Sequence, residues 1–165
     1  MKAKMFRALL PLAIVFTMMS CSSDSTADVT ADNTVIESYN YNETETKLVT
    51  LINDYRVSQG LNPLQVVNHI SFKSEEHNEY MIDNNVVNHD YFEQRSNNII
   101  HVLGAERVGE NIAYNYGTAE AAMNAWLNSP GHKANIVGDY THIGISVSVD
   151  PATGRKYYTN MFMKK

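Results

Sequence analysis

The hydrophobic period of this chain changes once, near residue 140, and that change limits the folds open to it. Before it, residues that share one helical face recur at spacings of three and four. Leu48, Leu51, Ile52 and Tyr55 form one such face, Ile70, Ser74, His77 and Met81 a second, and Ala119, Ala122, Met123 and Trp126 a third. After it, Ile143, Ile145, Val147 and Val149 alternate with Gly144, Ser146 and Ser148, which is the period of a strand. Asp150-Pro151-Ala152-Thr153-Gly154 then turns the chain, and residues 156–163 supply a returning strand. Helices first and antiparallel strands last predict an α+β fold.

Local signals set the helix limits. Asn42 and Glu45 have the form of a capping box, and Gly60 supplies a stop. Asn62-Pro63-Leu64 is a connector, because proline pushes its predecessor out of the helical region. A second helix is expected from about His69 to Asn84, and a loop around Asn88-His89-Asp90. A short third helix from Phe92 to Leu103 follows, and then a turn at Gly109. Thr118 opens a further helix with Glu120, Asn124 and Asn128 on its wet face, and Ser129-Pro130-Gly131 is expected to end it. His77 is read as a core histidine bonded to a backbone carbonyl, with a ligand role as the alternative.

The first twenty residues stand apart from this domain. Lys2, Lys4 and Arg7 precede an apolar run from Ala8 to Met19, too short for a membrane-spanning helix and suited to a secretion signal. The run ends at Ser20-Cys21, which resembles a bacterial lipoprotein cleavage box and predicts lipidation of Cys21 and attachment to a membrane. Residues 21–41 read as an acidic polar tether and residues 42–165 as the single domain. Cys21 is the only cysteine, so no intrachain disulfide can form and the core alone must hold the domain. Without residues 1–20 the chain carries ten basic and eighteen acidic side chains, a formal −8, which argues against a nucleic-acid partner. The expected location is the cell envelope, as an outer-membrane or cell-surface lipoprotein, and the expected state is a monomer.

GENIAY at residues 109–114, AWLNSPGHKANI at 125–136 and YTHIGIS at 140–146, in that order, resemble the CAP superfamily of cysteine-rich secretory, antigen 5 and pathogenesis-related proteins. The likeness is to its bacterial, disulfide-free branch and runs from about Thr44 to the C-terminus. It implies an α-β-α sandwich with a small three-stranded antiparallel sheet. It also implies a cleft tetrad, with His89, Glu110 and His142 on three positions and Ser129 where a second glutamate is usual. His132 and Asn111 are additional cleft candidates, with a structural role for each as the alternative.

Two imidazoles and a carboxylate are enough to hold a divalent metal such as Zn2+ through His89 and His142, or to form a general acid/base set. Spacing does not choose between these. There is no HExxH helix and no GxSxG elbow. The leading expectation is therefore a non-enzymatic binding module for a metal, small ligand or lipid. A metal-dependent, peptidase-like hydrolase and a surface interaction protein with a vestigial cleft are the alternatives.

Overall fold

The computed structural model describes residues 34–36 and 38–165; the signal segment, Cys21 and the tether as far as Asn33 lie outside the described residues. The first helix, α1 (Glu43–Ser58), starts where the sequence places it. Glu45 N–H donates to Asn42 Oδ1 at 3.0 Å and Asn42 N–H donates to Glu45 Oε2 at 2.8 Å, so both arms of the capping box are made. A two-residue strand β1 (Gln65–Val66) leads into α2 (Asn68–Asp83), followed by α3 (Phe92–Leu103), β2 (Arg107–Tyr114), α4 (Ala119–Asn128), α5 (Pro130–Ile136), β3 (His142–Val149) and β4 (Lys156–Lys164).

The sheet order is β1-β3-β4-β2. β2, β4 and β3 form the expected three-stranded antiparallel sheet, and β1 adds two residues parallel to β3. The two faces of the sheet bury different helices. On one, Leu48 and Ile52 of α1, Trp126 of α4 and Ile136 of α5 pack against Ile143, Ile145, Tyr158 and Phe162. On the other, Ile70 of α2 and Ile99 of α3 pack against Met161 and Met163. This is the α-β-α sandwich. Because helices cover both faces, β4 is buried from Tyr157 to Met163 and shows little alternation in its sequence.

Close contact between α2 and the sheet depends on Gly144. A Cβ there would stand 2.5 Å from the Ile70 carbonyl carbon and from Ile70 Cβ. On the other face, the buried Arg56 ties α1 to the turn after α5. Its Nη1 donates to Ile136 O at 2.8 Å and Gly138 O at 2.9 Å, satisfying carbonyls at a helix end.

Three local readings are refined or corrected. Ser129-Pro130-Gly131 ends α4 as expected, but it also starts a new helix. Ser129 takes an extended conformation, and Pro130 occupies the first turn of α5, where its missing N–H costs nothing. His132 is therefore helical. Gly109 does not form a turn but lies inside β2, which the sequence pattern did not announce. The end of the tether is largely exposed but is pinned to the domain at two points, since Tyr39 Oη donates to Ser146 Oγ at 3.0 Å and Ile36 N–H donates to His69 Nδ1 at 3.2 Å.

Candidate functional site

Glu110 is the centre of the site. It sits in β2 opposite Met161, so its side chain points to the face covered by α2 and α3. Only 7% of the residue is exposed. A buried carboxylate needs matched charge and hydrogen bonds. Arg95 of α3 supplies both: Nε donates to Oε2 at 3.0 Å, and Nη2 donates to Oε1 at 3.0 Å and Oε2 at 2.7 Å. Nη1 of the same guanidinium donates to Asp90 O at 2.7 Å, which ties α3 and β2 to the loop that carries His89.

His89 completes the group. Its Nδ1 lies 2.8 Å from Glu110 Oε1, and half of its side chain is exposed. A carboxylate accepts, so Nδ1 donates the proton of this bond, and the lone pair of the neutral ring is the one on Nε2. A carboxylate that fixes a histidine tautomer in this way is the usual support for a metal-binding or basic imidazole. The loop around His89 is itself braced. Asn88 Nδ2 and Tyr80 Oη both donate to Asp90 Oδ2, at 2.8 and 3.0 Å, and Tyr91 takes a left-handed φ of 59° to start α3.

His132 approaches from α5. Asn111 Nδ2 donates to its carbonyl at 3.0 Å, while Asn135 Nδ2 donates to Asn111 Oδ1 at 2.8 Å and to Glu110 O at 3.1 Å. These asparagines lock α5 along β2. Gly109 permits the approach, since a Cβ there would meet Asn135 Oδ1 at 3.1 Å and the Tyr140 ring at 3.0 Å. Partial burial, and then the nearness of His89 when that ring is protonated, hold the His132 imidazole below its ordinary pKa.

His142 is not brought to this group. It lies on β3 opposite Met163, with β4 between it and β2, and its Nδ1 pairs with Thr141 Oγ1 at 2.7 Å. Burial, and next the charge of Lys165, lower its pKa. The structure joins His89, Glu110 and Arg95, leaves His142 apart from them across β4, and sets His132 on α5 beside β2, with its carbonyl bonded to Asn111. Ser129 lines a groove together with His132 and Trp126. His77 is buried with Nε2 2.8 Å from the Asn88 carbonyl, as read from the sequence. Burial, followed by Arg95, lowers its pKa.

Among the described residues no group of three or more His, Cys, Asp or Glu side chains is arranged to hold a metal ion. Glu110 is engaged on both oxygens by Arg95, which leaves no free carboxylate oxygen there.

The fold has counterparts. The model of the cysteine-rich secretory protein family, CAP, matches residues 49–162. The chain belongs to the CAP family. It is 37% identical over 125 residues to the uncharacterized membrane protein YlbC of Bacillus subtilis (strain 168), a match covering 73% of this chain and 34% of that protein. The uncharacterized protein YkwD of the same organism is 36% identical over 110 residues, covering 61% of this chain and 41% of the relative. This CAP protein thus spans between a third and a half of the length of these curated relatives.

Among solved structures, an outer surface protein from Borrelia burgdorferi superposes with a TM-score of 0.67 at 21% identity, over 79% of this chain and 99% of that one. An extracellular protein containing an SCP domain from Bacillus anthracis superposes with a TM-score of 0.65 at 26% identity, over 78% of this chain and 45% of that one. The CAP relatives therefore include extracellular and membrane proteins. No helix among the described residues is long and apolar enough to cross a membrane.

Proposed function

We propose that this CAP protein is a lipid-anchored, extracytoplasmic binding module whose His/Glu site at His89 and Glu110, with His132 as a further ligand, takes a divalent metal, zinc first, or a small polar or lipid ligand. The observation that carries the reading is the bond from His89 to the buried Glu110, which presents Nε2 as a fixed lone pair. Glu110 orients that ring. Its two-pronged contact with Arg95 leaves it poorly placed to abstract a proton, and Ser129 brings no second carboxylate. Binding without turnover follows from that chemistry. Anchoring rests on the signal and on Cys21, and Cys21→Ser should shift the protein out of the membrane fraction.

Zinc titration by calorimetry tests the cleft. Wild type and His142→Ala should bind, whereas His89→Ala and His132→Ala should each lose most of the affinity. Affinity should fall as pH drops, because a protonated imidazole cannot ligate. Binding that survives both His89→Ala and His132→Ala, or its absence from wild type at neutral pH, would remove metal from the account. Turnover of a peptide library on adding zinc would replace the binding module with a hydrolase. A protein partner held equally well by Glu110→Ala and His132→Ala would point to a surface interaction protein.

A further inference from the structure

The sides of β3 and β2 that face away from β4 are finished differently. On β3, odd-numbered residues turn their backbone groups away from β4, and side chains seal both donors and acceptors. Ile145 N–H donates to Ser71 Oγ at 3.0 Å and Val147 N–H donates to Glu45 Oε1 at 2.7 Å, while Asn42 Nδ2 donates to Val147 O at 3.2 Å. With β1 paired at His142 and Ile143 and these side chains beyond it, that side of β3 is closed to a further strand.

On β2 the sealing is one-sided. Asn115 N–H donates to Lys156 O at 2.7 Å, so the odd-numbered residues face β4 and the even-numbered ones turn outward. Two of the outward carbonyls are taken, Glu110 O by Asn135 Nδ2 at 3.1 Å and Ile112 O by Trp126 Nε1 at 2.9 Å. Among the described residues no side chain accepts from the outward N–H groups of Ile112 and Tyr114. Those two donors border a groove of about 320 Å³ whose other walls include Tyr116, Ala125 and Trp126, with His132 at its end.

At Ile112 the edge offers its N–H while its carbonyl is spoken for, so an ordinary strand would set an N–H of its own against a carbonyl already bonded. A proline-containing segment presents carbonyls, lacks N–H at each proline, and is extended before it binds. Its rings also suit tyrosine-lined grooves. We propose that the groove along the outer edge of β2 binds an extended, proline-containing peptide, with carbonyls accepting from Ile112 and Tyr114 and a proline ring between Tyr116 and α4. This does not depend on metal at His89.

The test uses the full chain and two end-blocked decapeptides, one rich in proline and one alternating Thr and Val. Trp126 is the only tryptophan and lines the groove, so its fluorescence reports occupancy, and the Ile112 and Tyr114 amide resonances report the contact. The proline peptide should saturate both signals and be unaffected by a metal chelator. Ala125→Glu should weaken it by about tenfold or more, as for a charge placed in the apolar centre of an interface. Tyr116→Ala, at an exposed position where folding is not at stake, should weaken it as well. Saturation by neither peptide, equal or tighter binding of the Thr/Val peptide, or unchanged binding in both variants would each overturn the proposal.

Discussion

Arg95→Leu should be the most destabilising single change at the site, for a reason that a double variant can isolate. The substitution removes three contacts of 2.7–3.0 Å to Glu110 and the 2.7 Å bond to Asp90 O. Their gross strength is not the magnitude to expect. What remains is a carboxylate whose side chain is 2% exposed, facing His89 as its one other ionic partner. Breaking a buried pair on one side costs about 3–5 kcal/mol, most of it the uncompensated charge. Replacing both partners leaves no charge behind, so Arg95→Leu/Glu110→Gln should recover more than half of the loss. Urea unfolding followed by Trp126 fluorescence measures all four corners of the cycle. A single-variant loss under about 1 kcal/mol, or a double variant worse than the sum of the singles, would refute a buried charge pair at the core of the site.

Other expectations are simpler. Trp126→Ala should cost about 3–5 kcal/mol in thermal or urea unfolding, since the ring is 1% exposed and its indole N–H caps Ile112 O. Gly144→Ala should destabilise by about 1–3 kcal/mol or more, because the new methyl would run into the α2 backbone at Ile70 and Ser71. Burial raises the pKa of Glu45 above the ordinary carboxylate value, so the folded state holds that proton more tightly than the unfolded chain. Its contribution to stability is therefore fully present below the unfolded pKa and declines as pH rises through the folded one. The stability gap between wild type and Glu45→Gln, measured from pH 3 to pH 8, should narrow as pH rises; a gap that widens would show that the linkage runs the other way.

Residues close in sequence announced most of the helices. The Asn42–Glu45 capping box, the helix from Phe92 to Leu103 and the alternation after Ile143 are local patterns, and each appears where the sequence puts it. β2 was hidden because both of its faces are covered. Glu110, Asn111 and Ala113 are all buried, and buried polar residues inside a strand erase the alternation that would mark it. α5 was hidden because proline after a helix signals an end as readily as a beginning, and only the extended Ser129 decides between them.

The site divides along the same line. His89 and Glu110 were legible as chemistry-bearing residues, but their partner Arg95 gave no signal within FEQRSNNII. Nothing local distinguishes an arginine that faces water from one that meets a carboxylate fifteen residues on. The choice between His132 and His142 was equally out of reach. Both precede or open regular elements, and which one approaches Glu110 depends on which side of β4 its element packs. Periods, caps, net charge and the lack of an intrachain disulfide could be read off the chain alone, because they belong to its composition or to residues that are neighbours along it. The site needed the folded sheet, because pairing across strands sets distances between residues that share no local pattern.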